Sequence, residues 1–230
     1  MKRQVSIAGL MNWQDSPARG VRRKRLFHSG AAEGGIVTSI VEYAAGSEFP
    51  EHGHPEGEEI LVLEGTFSDQ RGDFPRGSYL LNPEGFRHTP HSRPGCVVFV
   101  KLRQYGGARR ECVSLDTSTG AWIPGPWPTV TGSVRTQPLY RSPNYPETIQ
   151  LIELAPDTEV DPLPLAEGRE IFVVSGELAD ERGVYPQHSW LRLPPGSAHR
   201  PTSRGGALLY VREGGFPVER ATDGWAFHMG

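Results

Sequence analysis

Cysteine is nearly absent from this chain: there are two in 230 residues, Cys96 and Cys112. That pair makes neither a disulfide framework nor a CxxC metal site. An excess of either charge sign is also lacking. Lys+Arg is 24 and Asp+Glu is 27, for a formal charge of −3. This balance argues against nucleic acid or an anionic membrane as the main partner, because both need a basic face. No apolar run approaches the ~20 residues of a membrane span. Met1-Lys2-Arg3 starts like a secretion signal, but Val5–Met11 is short, is broken by Ser6 and Gly9, and has no small-x-small cleavage site after it. A cytoplasmic protein is therefore expected. No segment keeps a 3.6-residue apolar period with capping signals, so long amphipathic helices are not expected.

Turn residues are abundant instead. Gly is 28 and Pro is 21, while 37% of residues are hydrophobic, too many for a disordered chain. The apolar runs are short: Val37–Tyr43, Ile60–Leu63, Tyr79–Leu81 and Val97–Leu102. Clusters such as Ser68-Asp69-Gln70-Arg71-Gly72-Asp73 separate them. Short, evenly spaced strands with frequent turns predict an all-β sandwich or barrel.

The chain repeats itself. Shifted by 111 residues, Val37–Arg103 aligns without gaps on Thr148–Gly214, with 23 identities in 67 pairs. Gly65 meets Gly176, Asp69 meets Asp180, and Pro83, Gly85 and His88 meet Pro194, Gly196 and His199. Gly and Pro recur where the backbone needs special dihedrals. Two copies of one fold are expected, over 1–110 and 111–230. The Gly/Pro-rich stretch Gly106–Pro138 joins them. Its Trp122 and Trp127, like Trp13 before the first copy, are expected to pack as anchors.

The chemistry concentrates in the first copy. His52-Gly53-His54 places two imidazoles on one face of an extended strand, about 7 Å apart along the chain. Glu58 follows the Pro55-Glu56-Gly57 turn, and His88 follows Pro83-Glu84-Gly85. Three imidazoles and a carboxylate suit Fe, Mn, Ni, Cu or Zn rather than Ca or Mg. Glu59, one residue on, faces the other way and reads as structural because Glu170 repeats it. His91 is a candidate to support a ligand imidazole from behind, or an exposed loop histidine. In the second copy Leu163, Leu165 and Arg169 stand where His52, His54 and Glu58 stand in the first, and only His199 is kept. That copy is expected to be a degenerate barrel. A sharper reading makes Arg169 and His199 the walls of an anion or small-molecule pocket. Arg22-Arg23-Lys24-Arg25, the densest charge run, reads as a solvated edge.

The order, spacing and Gly/Pro punctuation of His52–Gly65 and Gly77–His88 resemble the two cupin motifs, with Ser92 at a place usually held by Asn. More narrowly, the stretch from His52 to Asp69 is similar to the ChrR-type cupins, named for the C-terminal domain of an anti-sigma factor. The resemblance covers about Met11–Tyr105 and recurs more weakly in the second copy. It implies two tandem jelly-roll barrels. It also implies His52, His54, Glu58 and His88 as ligands of one divalent transition metal per chain, whether Fe, Mn, Ni or Zn.

Four protein ligands leave open positions on octahedral Fe(II), Mn(II) or Ni(II), whereas tetrahedral Zn(II) would be closed. Ile60 and Val62 share the strand parity of Glu58 and predict an apolar interior beside it. The expectation is a metal-dependent small-molecule enzyme, an oxygenase or a related lyase or isomerase. The alternative is a regulatory, oxidant-sensing cupin. The resemblance weakens that alternative, because sigma-factor binding there belongs to a zinc-bearing helical domain, and the first 35 residues here hold only His28 and no Cys. A homodimer joined at sheet edges is expected.

Overall fold

The structure, a computed structural model, describes residues 1–31, 34–107 and 109–217. Residues 218–230 of the expected second domain lie outside them. Among the described residues, strands dominate and the one helical turn is a short 3-10 segment at Ala8–Leu10. No described helix is long and apolar enough to cross a membrane.

Each half curls into a jelly-roll barrel of antiparallel strands, and the repeat seen in the sequence reappears strand for strand. In the first barrel the ladder runs Ser78–Asn82, Glu58–Asp69, Cys96–Leu102, Ile36–Tyr43, Val21–Ser29. In the second it runs Ser189–Leu193, Arg169–Asp180, Ala207–Glu213, Thr148–Leu154, Val134–Arg141. A two-stranded ribbon completes each barrel. His52–His54 pairs with Phe86–His88 in the first, and Leu163–Pro164 pairs with Ala198–His199 in the second.

The two copies exchange a strand. Gln4–Ile7, from the first copy, pairs with Ser189–Leu193 of the second barrel. Val113–Asp116, the lead-in to the second copy, pairs with Ser78–Asn82 of the first. The sheets therefore cross the boundary drawn at residue 110.

Strand alternation makes three cores rather than two. Along Glu58–Asp69, the even residues Ile60 and Val62 enter the first barrel with Leu80, Val98 and Val100. The odd residues Leu61 and Leu63 face the second barrel, joining Tyr79, Phe99, Phe172, Trp190 and Tyr210 in a shared layer. The third core, inside the second barrel, contains Ile171, Val173, Leu191, Leu209 and Val211. Phe99 and Phe172 stack at 4.2 Å across the junction.

That layer also buries charge. Lys101, Glu170, Arg192 and Arg212 are fully buried. Glu170 accepts bonds from Lys101 and, at 2.9 Å, from Arg192. Glu59 accepts bonds from the hydroxyls of Tyr105 and, at 2.8 Å, Tyr210. Glu59 thus faces the neighbouring barrel, as its strand parity requires. Burial pushes the Glu170 carboxyl up, but Lys101, Arg192 and Arg212 outweigh it and bring it down to about 2.

One pair of glycines shows why the punctuation repeats. Gly65 and Gly176 have φ of 68° and 76°. A Cβ there would lie 2.0 Å from the Gly95 carbonyl oxygen in one barrel and 2.2 Å from the Gly206 oxygen in the other. Strands crossing this closely, next to a register shift in each ladder, tolerate no side chain.

Candidate metal centre

The ribbon of the first barrel builds the site. His52 lies directly across from His88, and His54 from Phe86. Residues two apart share a face, so His52 and His54 both turn toward His88. The three rings sit 4.8, 4.9 and 5.0 Å apart, centroid to centroid. Their ligand nitrogens all lie within 4.8 Å of one another. Glu58 enters from the adjoining sheet, with Oε2 3.5 Å from both His54 Nε2 and His88 Nε2. Those two nitrogens are 2.9 Å apart. His54, Glu58 and His88 are buried, and His52 stands at the more open end.

Neighbouring groups fix which atoms face inward. His52 Nδ1 lies 2.9 Å from the Pro50 carbonyl oxygen, leaving Nε2 for the cluster. His88 Nδ1 faces Asp69 Oδ2 at 3.5 Å. Asn82 Nδ2 donates to Glu58 Oε2 at 3.0 Å. Arg71 in turn grips Asp69 through Nη2 at 2.7 Å. Burial would raise the Asp69 carboxyl, but His88 and Arg71 outweigh it and hold it well below the usual range. Burial lowers His54, and the neighbouring imidazoles and Arg103 lower it further against the pull of Glu58. A neutral His54 keeps a lone pair available for coordination.

Beside the cluster lies a cavity of about 270 Å³. Ile60, Val98, Val100 and Leu102 line it, giving the apolar wall expected from the parity of Glu58. Tyr43 also lines it, and burial raises its phenol far above the ordinary value, so it stays protonated.

The sequence missed several of these groups. Asp69 and Asn82 carry no motif of their own, although the identity of Asp69 with Asp180 in the repeat was a usable signal. The arginine run is a correction. The strand Val21–Ser29 splits it, so that Arg22 and Lys24 lie outside against Trp13 while Arg23 and Arg25 line the cavity. Period-two alternation, applied to charged residues as strictly as to apolar ones, would have shown this.

His91 stands apart from the imidazole cluster. Its Nδ1 lies 3.3 Å from the Thr89 carbonyl oxygen, and Asp69 takes the place against His88. In the second barrel Arg169 bonds Glu213 at 2.8 and 2.5 Å and lies over the Trp127 ring. His199 is buried, with Nε2 3.5 Å from Asp180 Oδ2. Among the described residues neither ring nitrogen of His199 has a hydrogen-bond partner. Leu163, Leu165 and Trp127 pack into the interior around them.

Comparison with known proteins agrees with this architecture. The family profile described as ChrR Cupin-like domain matches residues 1–106 and again 111–217. No curated protein matches the chain. Among solved structures, the chain is similar to a candidate dioxygenase of Nostoc punctiforme, with TM-score 0.75, 18% identity, and 92% of this chain and 82% of that one covered. It is similar to the pirin YhhW of Escherichia coli in complex with nickel(II), with TM-score 0.70, 15% identity, and 94% and 100% covered. An oxalate decarboxylase aligns with TM-score 0.64 and 10% identity over 96% of this chain and 78% of that one. At these identities the likeness is one of fold.

Proposed function

The chain belongs to the ChrR cupin-like family, in two copies, and on that premise we propose that it is a metal-dependent small-molecule enzyme. The first barrel would hold one divalent transition metal through His52, His54, Glu58 and His88. The observation that carries this reading is convergence. Three imidazoles and a carboxylate from two separate motifs meet at the wall of a cavity large enough for a small substrate.

The donor set fits such an ion. Donor atoms about 2.1 Å from one first-row cation stand roughly 3.0–3.4 Å from each other, close to the 2.9 and 3.5 Å among His54, Glu58 and His88, and a His52 nitrogen lies within 4.8 Å of those of His54 and His88. Imidazole nitrogens select Fe, Mn, Ni or Zn over Mg or Ca. Bound there, the ion supplies Lewis-acid polarisation or oxygen activation. The chain's own residues do the rest. Asp69 and the Pro50 carbonyl orient the imidazoles, Asn82 orients Glu58, and Ile60, Val98, Val100 and Leu102 set an apolar wall beside them. The Tyr43 hydroxyl holds a proton at the cavity surface. The nickel-bound pirin and the candidate dioxygenase share the barrel and lend support to this class of activity.

Metal analysis of protein purified without added metal tests the reading. Iron, manganese or nickel near one per chain, lost in His52→Ala/His88→Ala, is the expected result. Stoichiometric zinc with no exchangeable water would overturn it in favour of a regulatory, ChrR-like role.

A further inference from the structure

The approach of Glu58 to His54 depends on a turn that carries no ligand. Pro55, Glu56 and Gly57 join the ribbon strand that ends at His54 to the sheet strand that begins at Glu58. The turn closes on itself through the Gly57 N–H, which donates to the His54 carbonyl at 3.2 Å. The segment that follows the strand Cys96–Leu102 grips it from outside. Arg103 N–H donates to the Gly57 carbonyl at 3.1 Å, and Tyr105 N–H donates to the Glu56 carbonyl at 2.9 Å. The contact is close, because a Cβ on Gly57 would lie 2.8 Å from the Tyr105 Cβ. Arg103 makes its bond with φ of 60°, a left-handed backbone that disfavours any residue but glycine.

What holds that segment belongs to the second barrel. Arg212, fully buried on the strand Ala207–Glu213, donates through Nη1 to the Tyr105 hydroxyl at 3.2 Å and to Gln104 Oε1 at 3.3 Å. Its guanidinium lies 4.9 Å from the centroid of the Tyr105 ring. Tyr105 in turn donates to Glu59, which also accepts from Tyr210, two residues before Arg212. The repeat supplies a control. Lys101, the equivalent of Arg212, gives its ammonium to Glu170 instead. Where the first copy has Arg103, Gln104 and Tyr105, the second has Gly214, with φ of 72°, then Gly215 and Phe216. Neither Gly215 nor Phe216 carries a polar side-chain group for a partner barrel to hold. The grip is therefore built on the barrel that has the imidazole cluster.

We propose that Arg212 of the second barrel is a positioning residue for the metal centre of the first. By fixing Gln104 and Tyr105 it holds the turn at 55–57, and the turn sets where Glu58 stands relative to His54. The barrel that lacks the ligand set thus serves the site of its neighbour. This inference rests on the metal reading above.

Cobalt(II) titration of the full chain, followed by visible absorption, reads both affinity and ligand geometry. Tyr105→Phe removes the hydroxyl that Arg212 holds, and Arg212→Lys keeps the charge but ends short of Tyr105 and Gln104. Each should weaken cobalt binding about tenfold, the scale seen when a support behind a metal ligand is lost, and should shift the absorption bands. Glu170→Gln is the control. It disturbs the same buried layer through Lys101 and Arg192, so it should lose more stability in urea yet keep the parent's affinity and bands. Parent affinity and bands in either Tyr105→Phe or Arg212→Lys overturn the inference. An equal loss of affinity in Glu170→Gln also overturns it, because the effect would then follow stability and not position. Tyr105→Phe removes a single oxygen and decides the matter if Arg212→Lys fails to fold. A parent that loads fully while the variants match it sinks this inference alone. A parent that binds no cobalt sinks the metal reading and this inference with it.

Discussion

The two barrels of this chain share a backbone but differ in what fills them. At equivalent places the first holds His52, His54 and Glu58, and the second holds Leu163, Leu165 and Arg169. The first keeps a cavity, while the second is packed with Trp127, Leu163, Leu165 and their neighbours. Both keep an Asp–His pair at 3.5 Å, Asp69 with His88 and Asp180 with His199. The pair therefore belongs to the barrel, and a functional centre needs the ribbon histidines and the open volume in addition. A fold supplies positions, and the side chains at those positions supply chemistry.

The largest effect should come from removing the proposed metal ligands. His54→Ala/His88→Ala should abolish metal uptake, read by metal analysis of the purified chain. Leu163→His/Leu165→His/Arg169→Glu in the second barrel should not create a second metal site, because the Trp127 ring lies against the place of Arg169 within the packed core. A full second equivalent of metal would break the comparison.

Next in size is the junction. Glu59 and Glu170 are repeat equivalents with different partners, hydroxyls for the first and cations for the second. Glu170→Gln strands buried Lys101 and Arg192 and should cost about 3–5 kcal/mol of stability. Glu59→Gln keeps an acceptor for the tyrosines and should cost roughly 1 kcal/mol, the scale of one hydrogen bond. Urea denaturation of both variants reads the gap, and equal losses would show that the two glutamates do the same work.

The same carboxyl gives a pH signature. Its folded value, about 2, lies below the ordinary 4.5. The stability it contributes is therefore full above about pH 4.5 and is lost as pH falls toward 2. Acid titration of the parent should show that loss, and Glu170→Gln should flatten it. An unchanged acid limb in the variant would move the effect to other carboxyls.

The smallest effect concerns Arg103. Gly214 already fills the matching left-handed position in the second barrel, so Arg103→Gly should relieve strain and stabilise the chain by roughly 0.5–1 kcal/mol. Thermal unfolding reads this. A net destabilisation would mean that the arginine side chain contributes more through packing than its backbone loses.

Much of this was legible beforehand because it is written in local patterns. The Gly65–Gly176 match marks a crossing where only hydrogen fits, so the repeat and its barrels could be read from spacing. His52-Gly53-His54 on one strand face, with Glu58 and His88 behind turn residues, gave the cluster. Asp69 and Asn82 were not legible as site residues, because they reach the cluster across strands distant in sequence. Arg23 and Arg25 were hidden by a habit of reading charge runs as surface. The strand exchange of Gln4–Ile7 and Val113–Asp116 left no mark in composition, since either strand suits either sheet edge.

From the linear chain alone came the all-β architecture, the doubling and the gathering of His52, His54 and His88. Each depends on periodicity and dihedral preference, which neighbouring residues set. Only the folded molecule decided that the doubled halves trade strands, that a charged layer joins them, and that two arginines of a basic run face inward. Those outcomes depend on which distant surfaces meet and on what volume remains between them, and neither is determined until the sheets close.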